Sequence, residues 1–174
     1  PESLIRVIFP KAYDFENTTG PHQDFPHVQG TTECFTFWVP LGDCPTEMGA
    51  LAVAAGSHKA GVREFRIASD GGGIQVTDPL VGQWVVSDYE IGDVMIFHSL
   101  VVHRALPNLS DRLRQSIDVR YQRLSEPTLE KNLKPYTGIC TWEEAYAGWK
   151  SKELQYYWKK LDVKTAPYDW QYYD

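Results

Sequence analysis

The feature that most constrains this chain is a period of two. In residues 31–41, TTECFTFWVPL, Phe35, Phe37, Val39 and Leu41 fall on one side and Cys34, Thr36 and Trp38 on the other. Successive side chains of an extended strand point to opposite faces, so this alternation predicts a β-strand with two distinct faces. Further strand-forming stretches run from Leu4 to Phe9 and over 50–55, 74–77, 83–89, 93–97, 100–105 and 113–123. Turn formers separate them: Gly42-Asp43, Gly56-Ser57, Gly71-Gly72-Gly73, Asp78-Pro79, Gly92-Asp93 and Pro107-Asn108. Six to eight short strands at this spacing, with no helical period between them, predict a mainly β sandwich or barrel.

The chain has 174 residues, enough for one domain with a real core, and 43% of them are hydrophobic, as in a folded globular protein. Its net charge of −6 argues against binding a phosphate backbone, which needs a basic stripe. No apolar run is long enough to span a membrane. The start, PESLIRVIFP, is not a signal-type segment, so the cytoplasm is the expected location. It also lacks an initiator Met, so the natural N-terminus is expected to lie further upstream. Cys34, Cys44 and Cys140 show no zinc-type spacing and read as free thiols.

From about residue 126 the texture changes. Residues 1–125 read as the β core and 126–174 as an aromatic-rich helical extension packed on it within the same domain. Thr141-Trp142-Glu143-Glu144 has the form of a capping box, which satisfies the free amides at a helix start. Trp142, Tyr146 and Trp149 follow at helical spacing, and a second helix is predicted over 151–161 with Leu154, Tyr157, Trp158 and Leu161 on one side. The expected role of these aromatics is to pack the extension onto the sheet.

Chemistry centres on His22-Gln23-Asp24. In an extended segment, positions i and i+2 aim an imidazole and a carboxylate at one point. A histidine from a distant strand would complete a two-His, one-carboxylate set, the arrangement that holds iron(II) and leaves coordination positions open. Downstream come the apolar stretch Gly92 to His98, then His103, then Arg112 and Arg114. An arginine suits a dicarboxylate cosubstrate because its planar fork binds carboxylates in two places and stays charged.

HQDFP at 22–26, WVPLGD at 38–43, MGALAVAAGSHKAGV at 48–62, GDVMIFH at 92–98 and HRALPNLSDRLR at 103–114 resemble the phytanoyl-CoA dioxygenase family. The resemblance implies a double-stranded β-helix (jelly-roll) core, with Fe(II), 2-oxoglutarate as cosubstrate and O2. It makes His22, Asp24 and His103 the metal ligands and catalytic centre. It makes Arg114 the anchor for the far carboxylate of 2-oxoglutarate, with Arg112 as the alternative, Ser116 sharing that carboxylate, and Thr19 and Trp38 lining the cosubstrate pocket. Gln23, the 59–73 loop and the C-terminal aromatics are expected at the substrate mouth, with Arg63 or Arg66 as local positive charge, and the Gly71-Gly72-Gly73 run reads equally as a lid or as an ordinary long connection. Asp24 sets the chain apart from the halogenating branch, in which a small residue replaces the carboxylate.

The implied reaction is hydroxylation of a small-molecule metabolite with release of succinate and CO2. The alternatives are an inactive or cupin-like jelly-roll binding or isomerase domain, although cupins bring an H-x-H that this chain lacks. Two departures stand out. The helical layer that usually precedes the first ligand is expected to be missing or shortened, and the usual PGSH reads AGSH, with Ala55 for proline. His27, His58 and His98 read as non-ligands. No oligomeric state follows from the sequence.

Overall fold

The computed structural model describes residues 3–11, 18–67, 73–78, 83–135 and 138–169. Its strands are β1 (Ser3–Ile8), β2 (Cys34–Pro40), β3 (Leu51–Ala54), β4 (Phe65–Ile67), β5 (Ile74–Val76), β6 (Trp84–Val85), β7 (Met95–His98), β8 (His103–Ala105), β9 (Arg114–Gln122), β10 (Thr128–Leu129) and β11 (Thr165–Ala166). Each stretch expected to be extended contains a strand, usually trimmed at its ends, and β4, β10 and β11 lie outside all of them. The short helices are α1 (Phe25–Val28) and α2 (Trp142–Tyr146).

One antiparallel sheet has the order β1-β9-β2-β7 and a smaller one the order β6-β3-β8. A β4–β5 hairpin and a parallel β10–β11 pair complete the set. The architecture is the mainly β jelly-roll type, but the sheets do not close into a barrel. The core joins Trp38 of β2 and Phe97 of β7 to Leu51 of β3, with Cys44, Met48, Ala50 and Tyr89 around them. Burying side chains of this kind stabilises by about 1.5–3 kcal/mol each.

Along β2 the even positions Cys34, Thr36, Trp38 and Pro40 are buried, while Phe35, Phe37 and Val39 lie outward. That outer face is apolar and open: Phe35 is 41% exposed, Tyr121 opposite it 60%, Ile96 on β7 55% and Ile5 on β1 69%. The polar side of the strand therefore points into the protein.

Two local details hold the strands in register. Ala55, standing where the resembling pattern has proline, donates its backbone N–H to the Gln83 carbonyl (3.1 Å), a bond proline could not make. Gly49 has φ +86°, and a Cβ there would sit 2.7 Å from the Leu106 carbonyl oxygen, so only glycine fits.

The extension departs from expectation. The capping box forms as read, with Thr141 and Glu144 each satisfying the other's backbone N–H, but α2 is only five residues long. The helix predicted over 151–161 is absent. Tyr156 adopts a left-handed backbone (φ 54°) and a single 3-10 turn, Tyr157–Lys160, follows it. Leu154, assigned to the apolar side of that helix, is 62% exposed, whereas Trp158 is buried. Trp142, Tyr146, Tyr156 and Trp158 pack ring against ring. The end of the extension returns to the core, where Gln29 and Asp169 exchange side-chain-to-backbone bonds of 2.9 and 2.8 Å. Gly71 and Gly72 of the expected lid, and Trp170, Tyr172 and Tyr173 of the aromatic tail, lie outside the described residues.

Candidate metal centre

His22 is set by its backbone. It exchanges both bonds with His103 (N–H to O at 3.0 and 2.9 Å), a single antiparallel bridge that extends the smaller sheet beside β8. The N–H groups of Asp24 and Phe25 both donate to the Ser99 carbonyl, and there the chain turns into α1. Asp24 has a helical backbone (φ −73°, ψ −30°), so His22 and Asp24 do not converge by strand alternation as their spacing suggests. The bridge to His103 and the turn at Ser99 bring them together instead.

Ligand atoms of His22, Asp24 and His103 all lie within 4.8 Å of one another, and all three residues are buried. The His22 Nδ1 is 2.8 Å from the Gly20 carbonyl and the His103 Nδ1 is 3.0 Å from the Val101 carbonyl. A carbonyl only accepts, so each Nδ1 carries the proton and each Nε2 presents a lone pair. Burial, with His103 alongside, lowers the His22 pKa to about 3, and burial likewise lowers that of His103. Both rings are neutral at neutral pH, the state that ligates a metal. Burial is the largest influence on Asp24 and opposes its ionisation, but the groups around it, Arg120 first and then His103 and His22, together outweigh that and hold the carboxyl well below the usual range. A buried pair of neutral imidazoles and one carboxylate suits a divalent transition metal such as iron.

Arg114 faces the same space from β9. It is buried, lies 5.5 Å over the Trp38 ring, and its Nε and Nη1 have no acceptor among the described residues. The Ser116 hydroxyl is likewise buried and unpaired there. Buried donors left without partners cost about 1–3 kcal/mol each, and Arg114, which lines the cavity of the ligand triangle, fits an incoming carboxylate, whereas Ser116 is fully buried and is not among that cavity's lining residues. Arg114, Thr19 and Trp38 line one small cavity with the three metal-ligand candidates, of about 40 Å3. Arg112 is exposed outside this space, its carbonyl taken by the Asn108 amide (2.7 Å).

A profile of the phytanoyl-CoA dioxygenase (PhyH) family matches residues 3–116. The chain belongs to that family. It is 36% identical over 138 residues to a 1-deoxypentalenic acid 11-beta-hydroxylase of Streptomyces exfoliatus, spanning 71% of this chain and 46% of that protein. A phytanoyl-CoA dioxygenase domain-containing protein 1 of Bos taurus is 30% identical over 112 residues, 59% of this chain and 38% of that one. Against these curated relatives the chain spans less than half their length. Among solved folds, the non-heme alpha ketoglutarate-dependent epimerase SnoN of nogalamycin biosynthesis superposes with a TM-score of 0.57 at 24% identity, over 73% of this chain and 47% of that one. The carbocyclase SnoK of the same biosynthesis gives 0.57 at 24% identity, over 72% and 51%.

Within this PhyH-family fold, Gln23 does not face a mouth. It is 1% exposed and its amide is spent on backbone: Nε2 donates to the Gly61 and Leu100 carbonyls, and Oε1 accepts from the Arg63 N–H. It clamps the first-ligand segment to two loops. Arg63 pairs with Asp78 (3.5 Å) and Arg66 is exposed. The remaining histidines stay outside the ligand triangle: His27 is exposed on α1, His98 lies 3.6 Å from Glu33, and His58 stands beside His98 in a 3-10 turn. Cys34, Cys44 and Cys140 are free, and burial raises the Cys34 thiol to about 11. No helix among the described residues is long and apolar enough to cross a membrane.

Two groups at the site are absent from the sequence-based set. Thr36 donates to Asp24 Oδ2 (2.5 Å), and Arg120 grips both oxygens of the same carboxylate, Nε to Oδ2 at 3.2 Å and Nη2 to Oδ1 at 3.0 Å. A signal for Arg120 exists in the sequence, because Arg114, Ser116, Asp118, Arg120 and Gln122 put a polar group at every second position of one strand.

Proposed function

We propose that this chain carries the active centre of an Fe(II)- and 2-oxoglutarate-dependent oxygenase that hydroxylates a small molecule. One observation carries the reading: the buried His22–Asp24–His103 triangle shares its cavity with Arg114, whose buried donors lack an acceptor among the described residues. In that reading His22 and His103 hold iron through Nε2 and Asp24 through a carboxylate oxygen. Arg114 takes the far carboxylate of 2-oxoglutarate, while Thr19 and Trp38 bound its pocket. When bound, iron and 2-oxoglutarate supply oxidative decarboxylation to succinate and CO2, one oxygen atom of O2 entering succinate and the other the substrate C–H bond. The protein's share is ligation, orientation and a dry site.

A small-molecule substrate and a hydroxylation outcome are supported by the Streptomyces hydroxylase likeness. A larger cavity of about 300 Å3, lined among others by Arg120, Leu133, Tyr157, Trp158 and Leu161, has no lining residue in common with the cavity of the ligand triangle; Arg120, which grips Asp24, is its nearest link to that site. The excess of acidic residues disfavours a nucleic-acid substrate.

The test is succinate release from 2-oxoglutarate with iron(II), ascorbate and O2, for the wild type and for His103→Ala, with calorimetric titration of metal and cosubstrate alongside. Iron-dependent succinate that disappears in His103→Ala is the expected result. A wild-type protein that binds neither metal nor 2-oxoglutarate would overturn the reading.

A further inference from the structure

We infer that Arg120 is a positioning residue which, together with Thr36, makes Asp24 a metal ligand through one oxygen only. The inference rests on the metal-centre reading above and adds a role for a residue outside the ligand triangle. Arg120 on β9 and Thr36 on β2 are direct cross-strand partners, so both side chains leave the same face and reach the same carboxylate. A carboxylate oxygen has two lone-pair directions. Oδ2 of Asp24 has both filled, by the Thr36 hydroxyl at 2.5 Å and Arg120 Nε at 3.2 Å. Oδ1 accepts Arg120 Nη2 at 3.0 Å and lies 3.9 Å from His103 Nε2. The carboxylate thus has one saturated oxygen and one available oxygen, and the available one is beside the imidazole lone pairs. Chelation through both oxygens would require giving up a charged hydrogen bond or the Thr36 bond.

The fork also explains why a lysine would serve less well: two parallel N–H groups fix the carboxylate plane, which a single ammonium cannot. Arg120 is itself held, with its side chain only 20% exposed.

A rival role has the opposite sign. If Arg120 merely stands in for the cation in the metal-free protein, it competes with metal, and its removal tightens binding. The experiment is calorimetric titration of nickel(II) and cobalt(II) into the metal-free wild type, Arg120→Lys, Arg120→Gln and Thr36→Val, with thermal melts of each and cobalt(II) absorption spectra. Supporting partners of metal ligands change affinity by about 10–100-fold. The expected result is weakening in that range for Arg120→Gln, less for Arg120→Lys and Thr36→Val, with an altered cobalt spectrum in each. Should Arg120→Gln fail to fold, Arg120→Lys and Thr36→Val decide the matter. Unchanged or tighter binding in the folded variants, or unchanged spectra, would overturn the inference. If the wild type itself takes up no metal, the metal-centre reading fails instead.

Discussion

The two faces of the β1-β9-β2-β7 sheet are built on opposite plans. Its inner face carries Thr36, Arg114, Ser116, Asp118 and Arg120, all buried or half-buried, with Trp38 among them. Its outer face carries Ile5, Phe35, Ile96 and Tyr121, each at least 41% exposed. In an ordinary sandwich the apolar side of each strand is the inner one. Here the interior near β9 is committed to holding charge, and most of the fatty side chains of these strands lie outside it. The lesson is that period two identifies the faces of a strand, whereas which face is inside depends on what the interior is for.

The comparison breaks most sharply at the ligands. His103→Ala or Asp24→Ala is expected to abolish measurable iron binding and succinate release, with the fold retained by circular dichroism. Next comes Arg114→Met, which removes a charge-assisted contact of about 1.5–3 kcal/mol. The affinity for 2-oxoglutarate should fall about 10–100-fold while metal affinity stays near wild type, read by titrating each in turn. Equal loss of both would mean that Arg114 supports the metal rather than the cosubstrate.

A smaller effect follows from the buried imidazoles. His22 is lowered from an ordinary value near 6.5 to about 3, and His103 is lowered as well. Between those limits the unfolded chain binds more protons than the folded one, so stability rises with pH across that window and falls on acidification below about 6.5. Melts of the metal-free protein from pH 7 to pH 4 should show a declining melting temperature, and the slope should flatten in a His22→Gln variant. The smallest effect belongs to the outer face: Ile96→Thr should shift stability by about 0.5 kcal/mol or less and leave metal affinity unchanged. A large loss from that substitution would show that the outer face is packed rather than open.

Much of this molecule is legible in its sequence. The strand stretches and the capping box at Thr141 follow from residue pattern, whereas the meeting of His22, Asp24 and His103 follows from the family resemblance and is reached by a bridge and a turn, not by the strand alternation that HQD suggests. What is not legible depends on tertiary bonds. Nothing in HQD says that Gln23 spends its amide on the Gly61 and Leu100 carbonyls, because those partners are remote in sequence. The 151–161 segment has a helical apolar spacing, yet Tyr156 turns left-handed and rings from α2 and the 3-10 turn pack together, so tertiary contact overrides local pattern. Arg120 is hidden for a different reason. Arg112 and Arg114 fall within a family motif around the start of β9, whereas Arg120 is marked only by an alternation that continues to the strand's end.

The most direct measurement of the central claim is an anaerobic titration of iron(II) and 2-oxoglutarate into the metal-free protein, followed by the visible absorption of the iron–keto acid chelate. One equivalent of iron should produce that absorption only when 2-oxoglutarate is present, and His103→Ala should show none while keeping its folded spectrum. The same absorption at full strength in His103→Ala, or none in the wild type, would contradict a metal centre built from His22, Asp24 and His103.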